Sequence, residues 1–322
     1  MGMSGNAIEA VGVYTPRYRI DADAFDTIGG FEARGVNSKS VAAGDEDSTT
    51  MAVEAVRKAL SGAETDRGTV AELVVATTTP PVEEFDFSAT VAEILGLSPD
   101  VRTTVHSQST NAGTRALSDG FSAEGPAIVV AADHPQSSPT DRIDHAAGAG
   151  AVAFVLSSEG PVEVQESTTY TEEYPGTRFR RFGSSSVETY DATTYERRAF
   201  TEPIVAAVGE LRDPAEAVAI SAPNGSLPYR AASQFGFDAD VYQAASDLGD
   251  LGAASALVSL VRAWNDDADR VTVVGYGDGA SVDALVLEGR ITAPMDRTTE
   301  RIEYGEYLRK RGHIASTTGG DN

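Results

Sequence analysis

The chain has 322 residues, with 25 Lys plus Arg against 49 Asp plus Glu for a net charge of −24, and it contains no cysteine. The missing thiol excludes a disulfide framework, cysteine-ligated zinc and a thiolate nucleophile, and so acidic a surface repels phosphate backbones, so no nucleic-acid partner is expected. At 41% hydrophobic residues the chain can bury a large core, and its length suits two domains or one duplicated fold.

Only Lys39, Lys58 and Lys310 are lysines; the other 22 basic residues are arginines. Heavy Asp/Glu loading with scarce Lys keeps a protein hydrated in concentrated salt, where screening removes the self-repulsion. Because the carboxylates spread along the whole chain, adaptation to high intracellular salt is expected rather than an acidic patch for a basic partner. Residues 1–10 have neither a basic start nor an apolar stretch of signal length, and no run approaches about 18 apolar residues. A cytoplasmic protein without a membrane span is expected.

In chain order, Asp45, Glu46, Asp47 and Ser48 precede a helical pattern that sets Ala52, Ala55, Val56 and Ala59 on one face. Acids and a Ser there predict a helix cap rather than a metal site. Residues 73–76, 127–132 and 151–156 read as buried strands. A polar connecting segment spans about residues 160–198, with Arg178, Arg180 and Arg181 around Phe179 and Phe182. That basic cluster suits a phosphate-bearing ligand or, as the preferred reading, the chain's own carboxylates. Residues 218–220, 271–275 and 284–287 read as further strands, and Ala253, Ala256, Leu257 and Leu260 share a second helical face.

The same order of parts occurs twice. Ala71-Glu72 opens a strand leading to Pro80-Pro81, a helix and Leu95-Gly96-Leu97, as Ala215-Glu216 leads to Pro223, a helix and Phe235-Gly236-Phe237. Gly113 to Leu117 opens a helix where Gly252 to Leu257 opens another, and Gly148-Ala149-Gly150-Ala151 matches Gly277-Asp278-Gly279-Ala280 before a last strand. Alternating strands and helices with four equivalences in one order predict a tandem α/β duplication, with halves at 1–165 and 166–322.

Several strings resemble the archaeal type of 3-hydroxy-3-methylglutaryl-CoA synthase within the thiolase-like superfamily. They are Val13-Tyr14-Thr15-Pro16-Arg17-Tyr18-Arg19-Ile20, Gly35-Val36, Lys39-Ser40-Val41, Gly44 to Thr50, Ala52-Val53-Glu54-Ala55, Ala112-Gly113-Thr114, Pro223-Asn224-Gly225, Tyr304, Tyr307-Leu308-Arg309 and Arg311-Gly312. The resemblance spans essentially the whole chain. It implies a five-layered αβαβα fold, a buried helix pair, a dimer joined edge to edge through the sheets, and a pocket for the pantetheine arm of coenzyme A. It also implies partners, a thiolase and a small zinc-ribbon/OB-fold protein, and a Cys, His and Glu that join acetyl-CoA to acetoacetyl-CoA.

The chain departs from that triad. Aligning Ala112-Gly113-Thr114 puts Thr110 at the Cys position, Ser221-Ala222-Pro223-Asn224-Gly225 puts Ser221 at the His position, and Thr78 falls at the Glu position, with Glu83, Glu84 and Asp86 following in a longer loop that could supply a shifted carboxylate. A thiolate is a strong nucleophile whose acyl thioester stays activated, and a hydroxyl in place of an imidazole takes up no proton near pH 7. Condensation is therefore expected to be lost, leaving an acyl-CoA-binding or partner subunit. No cofactor is expected, only an acyl-CoA ligand.

Two polar positions remain. Asn224 fits either a thioester-oxygen contact or an ordinary turn, and Asp250 either a ligand contact or, preferably, a cap of the helix near Gly252. The enzymatic alternative is an acyltransferase or hydrolase with Thr110 or Ser109 as nucleophile, His106 and His134 being the nearby candidate bases; a structural dimer without ligand is the third. Gly275-x-Gly277-x-Gly279 lacks dinucleotide spacing and leads into a strand. Asp141-x-x-Asp144-His145 lacks further ligands and reads as surface acid.

Overall fold

The computed structural model of the chain describes residues 5–134, 137–139, 141–174, 179–181, 183–184, 187–188, 194, 196–279, 281–295 and 298–314. Its first part carries β1 (Ala7–Tyr14), β2 (Tyr18–Asp21), β3 (Ser38–Val41), α1 (Ser48–Gly62), β4 (Glu72–Thr77), α2 (Phe87–Leu95), β5 (Arg102–Ser107), α3 (Ala112–Ser122), β6 (Ala127–Asp133), α4 (Arg142–Ala146) and β7 (Gly150–Ser157). There follow β8 (Glu163–Thr171), α5 (Glu202–Gly209), β9 (Ala217–Ile220), α6 (Leu227–Ala232), β10 (Asp240–Tyr242), α7 (Ala245–Leu248), α8 (Ser255–Asn265), β11 (Arg270–Gly277), β12 (Ser281–Glu288), β13 (Glu300–Arg301) and α9 (Tyr304–Lys310).

The duplication is written in the sheets. One runs β1-β7-β6-β4-β5 and the other β8-β12-β11-β9-β10. In each, the first three strands pair antiparallel and the last three parallel. The central strands are buried on both faces and accordingly read as continuous apolar runs. On β6, Ala127, Val129 and Ala131 join one core while Ile128, Val130 and Ala132 join another. The first core holds α3 and α8 between the two sheets; α1 and α2 cover the outer face of the first sheet, and α5 and α6 that of the second. That is the expected five-layered arrangement.

One reading needs correction. Residues 163–171, expected as the start of a polar connection, form β8, the edge of the second sheet. Every other residue of β8 is exposed, so one water-facing side gave its sequence the composition of a linker. Arg178, Phe182 and Ala280 lie outside the described residues.

Local chemistry sets the helix ends. Asp47 caps α1 in a reciprocal box, accepting from Thr50 N at 2.8 Å while Thr50 Oγ1 accepts from Asp47 N at 2.8 Å. At the centre α3 meets the 3-10 turn that begins α8: a Cβ on Gly113 would stand 2.1 Å from the carbonyl oxygen of Ala253. Gly113→Ala is therefore expected to cost about 2 kcal/mol or more by overpacking, whereas Gly44→Ala, with nothing within 4 Å of the added atom, stays within about 0.5 kcal/mol; urea midpoints of the two variants check this. Among the described residues no helix is long and apolar enough to cross a membrane.

Candidate functional site

The duplication brings the starts of α3 and α8 together beneath the ends of the parallel strands. Thr110 lies in the turn between β5 and α3, just ahead of a helix N-terminus whose dipole favours negative charge. Gln108, two residues earlier, takes φ +74°, a left-handed conformation rare for a residue with a side chain. A cavity of about 110 Å³ opens here, with Thr78, Thr79, Gln108, Thr110, Ile143, Ala147, Arg180 and Asp278 among its lining. Beyond Thr110 a smaller space of about 10 Å³, lined by Thr110, Ser221, Pro223, Asp250, Tyr276 and Asp278, is the size of a single water.

Thr110 borders both spaces, Thr78 the larger and Ser221 the smaller, and each hydroxyl oxygen is hydrogen-bonded to another group. Thr110 Oγ1 donates to the Tyr276 carbonyl at 2.5 Å, and Ser221 Oγ accepts from Tyr276 N at 2.8 Å. The two side chains therefore grip the carbonyl and the N–H of one β11 residue, Tyr276, instead of each other. A peptide carbonyl is no base, so this hydrogen bond does not activate the Thr110 hydroxyl. Ser109 Oγ donates to Asn111 Oδ1 at 2.6 Å, and Asn111 in turn donates to buried Asp283 at 2.8 Å.

Thr78 belongs to a buried node. Asp133 at the end of β6 accepts from Thr77 Oγ1 (2.9 Å), Thr78 N (2.7 Å) and Oγ1 (3.0 Å), Thr79 N (3.0 Å) and Oγ1 (2.8 Å), and Ala253 N (2.6 Å). Burial pushes the Asp133 carboxyl up from its ordinary value while these donors pull it down. The node ties the first-half strand end that lines the cavity to the start of the second-half central helix.

The other expected residues sort by geometry. Asn224 Oδ1 accepts from Ser226 N (3.0 Å), Ser226 Oγ (2.8 Å) and Leu227 N (3.2 Å), so it holds the turn into α6. Asp250 Oδ1 accepts from Gly252 N and Ser255 Oγ, both at 2.9 Å, so it braces the turn into the central helix, and it also lines the small space. Asp86 caps α2 through Ser88 N at 3.1 Å, and Glu83 and Glu84 are exposed, so the longer loop returns no carboxylate to the cavity. His106 sits on the edge strand against Asp119 at 2.7 Å, not toward Thr110. Burial, with the Arg311 charge adding to it, pushes the His134 imidazole down to about 4, so it is neutral and weakly basic near pH 7. Arg181 pairs with Glu188 at 2.7 Å, an intramolecular carboxylate, while Arg180 stands at the cavity.

Two features escaped the sequence. Asp278 lines both spaces; its place in the repeated Gly-x-Gly turn between the last two strands was the signal. Asp144 is not surface acid but fully buried, in an ion pair with Lys39 at 3.4 Å and with Arg311 at 2.7 Å, and hydrogen-bonded by Tyr307. His145 is buried too, stacked on Phe31 at 5.3 Å.

No family model matches the chain. It is 29% identical to a hydroxymethylglutaryl-CoA synthase of Methanopyrus kandleri, over 94% of this chain and 96% of that protein, and 29% identical to one of Aeropyrum pernix, over 97% and 95%. Among solved structures it superposes with TM-score 0.82 on an HMG-CoA synthase complexed with CoA (13% identity, covering 95% of this chain and 90% of that one). It superposes with TM-score 0.77 on 3-oxoacyl-(acyl carrier protein) synthase III from Pseudomonas aeruginosa (19% identity, 90% and 100%). The architecture is the thiolase-like fold.

Proposed function

We propose that this chain, whose homologues are hydroxymethylglutaryl-CoA synthases, is a non-condensing counterpart of them: a cytoplasmic pseudoenzyme that binds an acyl-CoA and works as a partner subunit in CoA-thioester metabolism. One observation carries the reading. The chain has no cysteine anywhere, and the hydroxyl at the position the resemblance gives to the nucleophile is spent on the Tyr276 carbonyl. Ser221 and Thr78 add two more hydroxyls, held by the Tyr276 backbone and by Asp133.

Dimerisation through the sheet edge fits the same reading. β5 is the outer strand of the first sheet and exposes Val105, and Val82, Phe85 and Ile94 are exposed in the preceding loop and on α2; an unpaired edge flanked by apolar side chains suits strand-to-strand pairing. A thiolase and a zinc-ribbon/OB-fold protein are the partners we would seek. Salt-rich cytoplasm is the setting that the charge of −24 suits.

Calorimetric titration of acetyl-CoA into the protein at high salt is expected to show saturable binding, and no heat would leave the ligand-free structural dimer. Mass spectrometry after incubation with several acyl-CoAs is expected to show peptide 107–115 unmodified. An acyl adduct on Thr110 or Ser109 would replace this reading by the acyltransferase or hydrolase.

A further inference from the structure

The segment of residues 304–312 docks on a small satellite core in which Phe25, Tyr304 and Tyr307 rings meet at 5.2–5.9 Å between centroids. From there it reaches α4. Ile143 in that short helix and Ala147 just past its end form part of the wall of the 110 Å³ cavity shared with Thr78 and Thr110. Asp144 and His145 between them are buried and bound by the tail and its neighbours.

The attachment runs through one carboxylate and a chain of donors. Lys39 Nζ donates to Tyr307 Oη at 3.0 Å, Arg311 Nη1 donates to the same oxygen at 2.9 Å, and Tyr307 Oη donates to Asp144 Oδ2. Arg311 Nη1 also lies 2.7 Å from Asp144 Oδ1. Its other nitrogen, Nη2, donates to the Ser137 carbonyl at 3.3 Å, and Ser137 Oγ donates at 2.6 Å to Asp141, the residue just before α4. The tail thus holds α4 at its centre and at its entry. Charge-assisted bonds in a dry interior are strong and directional, so they fix position as well as add stability.

We propose that residues 304–312 form a latch that positions the α4 wall of the acyl pocket, with Tyr307 and Arg311 acting through Asp144 to set how long an acyl group the cavity admits. The inference rests on the acyl-CoA-binding reading for the pocket, but the latch itself is measurable without a ligand. In the full-length protein, Arg311→Met removes one of two cations and leaves the Lys39–Asp144 pair, so the fold survives. Hydrogen exchange of the amides of residues 142–147 is expected to quicken about tenfold while β4 and β6 stay unchanged, and Arg311→Lys is expected to recover much of the protection.

In the second arm, calorimetry with acetyl-CoA and hexanoyl-CoA is expected to move the ratio of affinities about fivefold toward the longer chain in Arg311→Met, the scale a looser apolar wall allows. Unchanged exchange at 142–147 would overturn the proposal. Faster exchange with an unchanged ratio would also overturn it, reducing the tail to a structural tie. If the unaltered chain binds neither thioester, the functional reading falls and takes the pocket's role with it, a failure distinct from that of the latch, which the exchange arm reports separately.

Discussion

Asp133→Asn is expected to lower the unfolding free energy by about 3–5 kcal/mol, the cost of breaking a buried, fully bonded charge site. Three of the groups aimed at this carboxylate are backbone N–H groups, of Thr78, Thr79 and Ala253, which cannot turn away. An amide nitrogen placed against any of them sets donor against donor in a site with no water to intervene. Threonine hydroxyls can rotate, so Thr77→Val, which removes one donor at 2.9 Å, should cost only about 1 kcal/mol. The damage would also reach the cavity, which Thr78 and Thr79 line. Urea unfolding at high salt measures both variants; an Asp133→Asn loss below about 1 kcal/mol would show that the node does not hold the halves together.

The buried cluster of Lys39, Asp144, Tyr307 and Arg311 sets two cations against one carboxylate, so its members should respond asymmetrically. Asp144→Asn strands both cations and is expected to cost about 3–5 kcal/mol. Lys39→Met leaves a neutral Arg311–Asp144 pair and should be neutral or stabilising near pH 7. The reason is proton linkage: burial, together with the Arg311 charge and against the pull of Asp144, pushes the Lys39 ammonium down to about 8. Between about pH 8 and 10.5 the unfolded chain binds a proton at Lys39 that the folded chain has released. Stability conferred at this site therefore rises with pH across that window, by about 3 kcal/mol in total, and the cost of the buried charge is fully present below it. Unfolding curves at pH 7.5 and pH 10 for the natural chain and Lys39→Met isolate the effect. The stability difference between the two proteins should shift in favour of the natural chain at the higher pH, and a difference independent of pH would mean that Lys39 carries no buried charge.

Much of the architecture was legible because it depends on local pattern. Central strands such as β6 and β11 read as apolar runs since both faces are buried, and the repeat of Gly, Pro and strand signals anticipated two sheets of identical order. Edge strands are harder to read: β8 alternates with solvent, which gives its sequence the composition of a linker. Of the expected hydroxyls, Thr110 lines both spaces, Thr78 the larger and Ser221 the smaller. What they bond to could not be read, because their partners are backbone of β11 and a carboxylate 55 residues along the chain from Thr78. Asp144 was misjudged for the same reason. Its acidic neighbour Asp141 and the chain's charge suggest a surface, and only the return of the tail with Arg311 supplies the counter-charge that lets it be buried.

On the proposed function, this thiolase-like framework carries out no condensation. Incubating the purified protein with radiolabelled acetyl-CoA and acetoacetyl-CoA at high salt tests it most directly. The absence of cysteine, with Thr110 held by the Tyr276 carbonyl, predicts no labelled condensation product above the protein-free blank; product well above that blank would contradict the account.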